Sequence, residues 1–155
     1  MDESNPKHSG FEAPVYGRVV QDDEEIITLP NGLCKLVKKF TLEKYYSEMS
    51  SVNHDRPAQI PIRESRLKYL LNDYTPKETD RWIMFNHPNH FLIYDRQTKY
   101  CVYDAEYIDL EIKQEDREPI CAVITKMRIN QDPNQHPEDI EDDFKAVVEL
   151  LKNEL

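Results

Sequence analysis

The feature that most constrains the fold of this chain is a run of short apolar segments between Arg81 and Asn130, rich in aromatic and β-branched residues. Polar turns separate these segments. In Ile108–Lys113 apolar and charged residues alternate, and a similar alternation runs through Cys121–Ile129. A period of two is typical of strands with one buried and one solvated face, and connections of a few residues suit antiparallel neighbours. The stretch therefore predicts an antiparallel β-meander covered on one side.

The C-terminal region supplies the predicted cover for this sheet. Pro137 is suited to a first helical turn, and apolar residues follow it at steps of three and four. The members of this stripe are Ile140, Phe144, Val147, Val148, Leu151 and Leu155. They predict an amphipathic helix of roughly 19 residues. The expected fold class is therefore α+β, with an antiparallel β-meander packed on a long C-terminal amphipathic helix.

Upstream of the meander, the signals are a turn and two short periodic stretches. The tripeptide Pro30–Gly32 lies between two apolar arms and predicts an N-terminal hairpin, because Asn-Gly tolerates the positive φ of tight turns. Thr41–Met49 and Ile62–Tyr74 predict one or two short helices before the meander. Between them, the stretch Ser50–Pro61 has the composition of a loop.

The 155 residues are enough for one domain with its own core. Residues 1–14 are polar and show no periodicity, which predicts a flexible N-terminal tail. Residues 15–155 are expected to form a single α+β domain, with Val15–Gln21 as a candidate first strand. A sheet wrapped on a long helix resembles helix-grip and other open-barrel folds that enclose an apolar ligand. An order of two strands, helix, three strands and helix resembles the longin and profilin-like modules that serve in assemblies.

Composition excludes several classes of function. Only three glycines occur, so glycine-rich phosphate loops and nucleotide-binding fingerprints are absent, and no cofactor is expected. Cys34, Cys101 and Cys121 are widely spaced, and the sequence opens without a basic and then apolar leader. No apolar run has the length of a membrane span. These features predict an intracellular protein, cytoplasmic or nuclear, with reduced thiols.

The net charge of −10 is unevenly distributed along the chain. Residues 1–32 and 137–155 each carry seven acids against two bases, whereas residues 33–99 carry twelve bases against eight acids. An acidic excess repels nucleic acid and anionic membranes. It is compatible with a protein partner, and it favours a basic one.

The most site-like stretch is Asn86–His90, which sets two histidines on either side of a proline and an asparagine. With Cys101 or Cys121 as a soft ligand, His87 and His90 would suit zinc, and His87 could instead activate Cys101 as a nucleophile. Metal ligands normally come in tight pairs, however, and Cys101 lies among the aromatic residues of a predicted strand. Turn chemistry favours a simpler interpretation, a hairpin loop that joins two paired strands and leaves His87 exposed. No metal site is assigned.

Three short motifs resemble pieces of ubiquitin-conjugating enzymes and their inactive variants. They are the HPN tripeptide itself, "NDYTP" at Asn72–Pro76, and "QDPNQHP" at Gln131–Pro137. In that family the asparagine of HPN supports a downstream catalytic cysteine. The family forms its sheet before HPN, whereas here the strongest strand signals follow His87, and the proline-rich run of the family is missing. The resemblance implies an enzyme of this type as an alternative, and Cys101 is not assigned as catalytic.

Two groups of side chains are candidate interface residues. Tyrosine is favoured at interfaces, and four tyrosines cluster in the meander. They are Tyr94, Tyr100, Tyr103 and Tyr107. Four bases near other tyrosines could follow a nucleic-acid backbone, although lysines on a strand more often form its solvated edge. These bases are Lys38, Lys39, Arg63 and Arg66.

No coherent set of catalytic residues emerges from the sequence. The carboxylates Asp109 and Glu111 share a strand face that is expected to be solvated, so they are not assigned to acid–base catalysis. The predicted function is a non-enzymatic protein-interaction module, an adaptor or small subunit of an intracellular complex. The alternative is a binder of an apolar small ligand in a cavity between sheet and helix. A cysteine-based or ubiquitin-conjugating-like enzyme is the third hypothesis.

Overall fold

The computed structural model describes residues 19–136 and 140–152. The chain divides into two compact units, residues 1–45 and residues 46–155. The predicted N-terminal tail, residues 1–14, lies outside the described residues.

The first unit contains the predicted N-terminal hairpin, which is confirmed. Strands β1 (Glu24–Thr28) and β2 (Cys34–Lys38) pair antiparallel. In the loop, Gly32 has a φ of 87° and donates its N–H to the Leu29 carbonyl at 2.8 Å. A three-residue loop of this kind needs a positive φ only at its last residue, which glycine adopts without strain. A 3-10 helix, Lys39–Tyr45, follows β2.

The predicted first strand, Val15–Gln21, is placed differently from the observed one. Residues 15–18 lie outside the described residues, residues 19–21 form no strand, and β1 begins at Glu24. The predicted single domain, residues 15–155, therefore spans parts of both compact units.

The described part of the second unit is built on a five-stranded antiparallel sheet with the order β3-β7-β6-β5-β4. Its strands are β3 (Asn53–Arg63), β4 (Trp82–His87), β5 (His90–Asp95), β6 (Tyr100–Gln114) and β7 (Arg117–Asn130). Its helices are α1 (Glu64–Lys68), which continues into a π-helical turn at Tyr69–Asp73, and α2 (Ile140–Lys152). β3, the first strand of this sheet in the sequence, pairs with β7, the last. The sheet is therefore not the simple meander that was predicted.

Two strands correct the predicted strand list. The stretch predicted as a loop, Ser50–Pro61, contributes most of β3, which lies at an edge of the sheet. Edge strands tolerate proline because one side of their backbone needs no ladder partner, and only Ile60 and Ile62 of β3 are buried, too few for a visible alternation. Two segments predicted as separate short strands instead form the single 15-residue strand β6.

The prediction of a long C-terminal helix is wrong. The described helix α2 covers 13 residues against the roughly 19 expected. Val147 and Leu151 are fully buried side chains of this helix. An apolar stripe fixes the phase of a helix but says little about where the helix ends. The main burial comes from the sheet, and the helices that cover it are short.

The sheet buries side chains on both of its faces. Met84, Phe91 and Ile124 belong to the main core, which packs against the helices, and the Phe91 ring stacks on Tyr107 with centroids 4.6 Å apart. Neighbouring residues on a strand point to opposite faces, so Ile83 lies on the other face from Met84. There it forms a second small cluster with Tyr94 and Cys101, covered by Tyr46 and Met49.

A buried ionic network joins the sheet to α2. The carboxylate of Asp95, which is fully buried, accepts from the Arg81 guanidinium at 2.9 and 3.3 Å. Arg81 also lies 3.6 Å from Asp143 of α2, whose second oxygen is 2.9 Å from the His136 Nε2. The His136 Nδ1 lies 3.1 Å from the Asn130 carbonyl. Each carboxylate thus has a cationic or hydrogen-bonding partner, as buried charges require.

Replacing Asp95 by asparagine is expected to destabilise the protein by about 3 kcal/mol, because the Arg81 guanidinium loses its fully buried partner and keeps only the more distant Asp143. Chemical denaturation of the wild type and the D95N variant measures this loss. The exposed carboxylate of Asp73 provides a control, and the D73N variant should have the same free energy of unfolding as the wild type. Equal stability of D95N and wild type would contradict a structural role for the network.

Candidate interaction surface

An open apolar groove of about 880 Å³ lies on the outer face of the sheet, away from the helices. We call it the outer groove. It is lined by Pro57, Ala58, Gln59, Pro61, Ile108, Leu110, Val123 and Thr125. These residues come from three adjacent strands, β3, β7 and β6.

A shared irregularity in strand pairing shapes the outer groove. On β3 the register shifts between Pro57 and Ile60, and on β6 it shifts between Glu106 and Tyr107. Both shifts lie opposite Thr125 of β7, which has no paired residue on β3 or on β6. Bulges bend a strand and redirect its side chains. Because the irregularities on both neighbours meet at one level, the surface becomes concave there.

On the side of Thr125 that carries Val123, the outer face shows an apolar row across three strands. Pro61 pairs with Val123, and Val123 pairs with Ile108. The neighbouring residues Ile62 and Ala122 point to the other face and are fully buried in the main core. Ile108 by contrast is 49% exposed. The sheet is therefore covered on its inner face and open on its outer face at this position.

On the side of Thr125 that carries Lys126, the outer face is charged. Four side chains form what we call the charge ladder, Asp55, Glu106, Lys126 and Arg128. Arg128 Nε donates to Asp55 at 2.8 Å, and Lys126 Nζ lies 3.4 Å from Glu106 and 3.8 Å from Asp55. The hydrogen bond from Arg128 lowers the pKa of Asp55 and raises that of Arg128. The bases of this ladder are thus already compensated by acids of the same protein.

Beyond the groove, the β6–β7 hairpin carries acids without such compensation. We call these residues the acidic hairpin end, and they are Asp109, Glu111, Glu115 and Asp116. All four are exposed, and none makes an ion pair with another residue in the described part of the chain. Residues 106–118 hold six acids against two bases. Another acid of this region, Glu118, accepts from the Ser65 backbone N–H at 2.7 Å, which lowers the pKa of Glu118.

The four predicted interface tyrosines lie largely inside the second unit. Tyr94, Tyr103 and Tyr107 are buried, and Tyr100 is half-buried. The Tyr103 ring packs edge-on against Trp82 with centroids 5.7 Å apart. A role of these tyrosines in binding stays a prediction, and their observed contacts are with the core.

The four predicted interface bases are dispersed. Lys38 is exposed and pairs with Asp23 at 3.1 Å, which raises its pKa, while Lys39 is buried. Arg63 and Arg66 are half-buried at the junction of β3 and α1. Arg66 donates to the Leu150 carbonyl and stacks over the Tyr69 ring, and burial lowers its pKa.

The two histidines of Asn86–His90 lie at the turn between β4 and β5. They pair with each other across a two-residue turn in which Asn89 has a φ of 63°. The predicted antiparallel pairing of the two strands is confirmed, and His87 is exposed. His90 contacts Asp104 at 2.7 Å. Cys101 pairs with Tyr94, which lies four residues after His90 on β5, so Cys101 is displaced from His90 by about 13 Å along the strand.

The structure does not bring together the histidines and cysteines that were weighed as zinc ligands and not assigned. Across residues 19–136 and 140–152, no group of three or more histidine, cysteine, aspartate or glutamate side chains is arranged to hold a metal ion. In the same ranges, none of the helices combines the length and apolar character needed to cross a bilayer.

Sequence reasoning missed the outer groove. Pro57, Ala58 and Gln59 lie in the stretch predicted to be a loop, and Ile108 and Leu110 were expected to be on the covered face. The alternation itself was visible, but which of its two faces is covered is set by the pairing of β6 with β7, where Thr125 of β7 forms a bulge. No signal in the sequence marks that bulge, since none of its residues is a glycine.

Comparison of the chain with protein-family models, with curated proteins and with solved structures gave no match. The assignment of a function therefore rests on the geometry of the molecule.

Replacing Arg128 by glutamine is expected to raise the pKa of Asp55 from its lowered value towards the ordinary value of about 3.9. Nuclear magnetic resonance titration of the side-chain carboxyl carbon measures this change. The lowered pKa contributes stability that is present above the ordinary value and is lost as the pH falls through the lowered one. The R128Q variant should lose this acid dependence, and K113Q, which changes an exposed base outside the ladder, should retain it. An unchanged Asp55 titration in R128Q would contradict the ladder.

Proposed function

We propose that this protein is a protein-interaction module that binds a partner protein at the outer groove. The observation that carries the proposal is the apolar row Pro61–Val123–Ile108, open to solvent on a sheet whose other face is packed. Folded monomers rarely expose connected apolar surface, and where they do it commonly marks a binding site. The row lies on paired strands, so its shape is held before binding.

The placement of the thiols supports a role without cysteine catalysis. A nucleophilic cysteine must be accessible and easily deprotonated. Cys101 is 3% exposed, and its Sγ donates to the Tyr103 carbonyl. Burial raises the pKa of Cys121, which disfavours its thiolate. Cys34 is exposed, and its Sγ lies 3.9 Å from the Thr28 hydroxyl oxygen.

The thiols also favour an intracellular complex as the setting. All three cysteines are free, and one of them is exposed. Free exposed thiols persist in reducing compartments and become oxidised outside them. A subunit or adaptor within the cell is therefore the setting that we propose.

A second candidate is the binding of an apolar small molecule, for which the size of the outer groove is the supporting observation. Its volume of about 880 Å³ falls in the range of small-molecule sites. The groove is open along three strands, however, and an enclosing wall that would bury most of a small ligand is not seen among its lining residues. A protein segment fits an open groove better than a small molecule does.

Replacing Ile108 by lysine is expected to abolish capture of the partner, because a charge at one end of the apolar row would be desolvated on binding. The assay is affinity purification from cells with quantitative mass spectrometry, using wild type, I108K and L71K. Leu71 is 40% exposed on the π-helical turn and does not line the groove. Proteins captured by wild type and L71K but lost from I108K are groove-dependent partners.

Two outcomes would contradict the proposal. One is identical capture by I108K and wild type while both remain folded. The other is saturable, stoichiometric binding of a fluorescent apolar probe to the wild type that I108K abolishes, with no groove-dependent protein captured. The second outcome would assign the groove to a small ligand.

A further inference from the structure

We infer that a cavity between α1, the start of β4 and α2 binds a small zwitterion, a molecule the size of an amino acid with one carboxylate and one ammonium group. The cavity has a volume of about 350 Å³. We call it the helix cavity, and its lining includes Arg66, Asp80, Arg81, Trp82, Glu149 and Leu150. The helix cavity shares no lining residue with the outer groove, so this site lies beyond the proposed function.

Arg66 brings to the helix cavity a positive charge that has no carboxylate partner among the described residues. Its Nη2 donates to the Leu150 carbonyl, its guanidinium stacks over the Tyr69 ring, and its Nε is buried without an acceptor. Burial lowers the pKa of Arg66, and the groups that raise it are the phenols of Tyr69 and Tyr74 rather than a carboxylate. A half-buried cation without a counter-ion is costly, so the carboxylate of a ligand would relieve that cost.

Glu149 brings a negative charge to the same lining. It is exposed on α2, and within the described part of the chain it makes no ion pair, either with Arg66 or with another base. Because these two opposite charges line one cavity without joining each other, neither is neutralised before a ligand arrives. A molecule with both charges can contact both residues, whereas a simple anion would meet a like charge as well as an opposite one. The lining therefore favours a zwitterion.

The other two charges of the lining are engaged within the protein. The Arg81 guanidinium belongs to the buried ionic network and donates to Asp95 at 2.9 and 3.3 Å. The Asp80 carboxylate accepts the Lys77 backbone N–H at 3.0 Å in the turn before β4. A ligand would have to compete with these contacts. Arg66 and Glu149 are therefore the charges that we assign to its recognition.

The apolar part of the lining indicates which zwitterion is preferred. Trp82, Ala146 and Leu150 line the helix cavity, so an apolar side chain on the ligand would gain contact that a bare zwitterion lacks. Trp82 is also the only tryptophan of the chain. Its indole N–H therefore gives a single resonance in nuclear magnetic resonance spectra, and that resonance reports on this cavity.

The test follows the indole resonance while the full chain is titrated with glycine, leucine or phenylalanine. These three amino acids carry the same two charges and differ in their apolar part. We expect saturable shifts, and we expect leucine or phenylalanine to bind at least about threefold more tightly than glycine, because each buries an apolar side chain.

Two derivatives of leucine test the two charges separately. Leucinamide keeps the ammonium group and lacks the carboxylate, whereas N-acetylleucine keeps the carboxylate and lacks the ammonium group. We expect leucinamide to bind at least about tenfold more weakly than leucine, because Arg66 is half-buried and its bond to a carboxylate is strong. N-acetylleucine should bind about threefold more weakly than leucine, because Glu149 is exposed.

Matched variants assign each charge to its residue. E149Q should weaken leucine binding about threefold without weakening N-acetylleucine, which has no ammonium group to lose. R66Q should weaken leucine and N-acetylleucine about tenfold without weakening leucinamide. E115Q and I108K change residues outside the helix cavity, and both should bind leucine as the wild type does.

Three results would overturn the inference. The first is an indole resonance that stays unchanged with all three amino acids. The second is binding of leucinamide or N-acetylleucine as tight as that of leucine, because a single charge would then be sufficient. The third is equal weakening of leucine and N-acetylleucine by E149Q, a readout that holds even if R66Q does not fold. Partner capture at the outer groove is tested separately by I108K, so failure here is distinguishable from failure of the proposed function.

Discussion

The antiparallel pairing of β6 with β7 is the interaction on which the rest of the second unit depends. Each of these two strands has a neighbour on both sides, so together they hold β3 and β5 in the sheet. Their inner faces carry much of the main core, including Tyr103 and Met127, which are fully buried. A slip of one residue would exchange the two faces of a strand. Burial of the inner face therefore also determines which side chains stay at the surface, Ile108 and Val123 among them.

The bulges convert this pairing into a surface with two characters. After Thr125 in the sequence, β7 places Lys126 and Arg128 on the outer face, where they contact acids on both neighbouring strands. Before Thr125, the same face carries Val123, and its cross-strand partners are apolar. The ion pairs of the charged part are exposed and therefore contribute little to stability. In the proposed function, the apolar part would supply the free energy of binding.

The sequence predicted those elements whose signals are local. The hairpin around Gly32 and the pairing of the segments flanking Pro88 follow from turn chemistry and short alternation, and both are present. The strand β3 was missed because it lies at an edge and pairs with β7, whose partner residues are 57 to 77 positions away, so its few buried residues are set by tertiary contacts. The outer groove depends on β3 and on the bulge at Thr125 of β7. It could not be predicted until both were known.

The acidic charge explains how a connected apolar surface is compatible with a folded protein that must avoid its own copies. An exposed apolar row on a sheet is a liability for association between identical chains. Here the row lies on a chain whose net charge is −10. Two such surfaces repel each other before their apolar residues can touch, whereas a surface of opposite charge is attracted over the same distance. In the interaction module that we propose, the charge distribution would discriminate between partners, and the apolar row would supply the affinity once the correct one is in place.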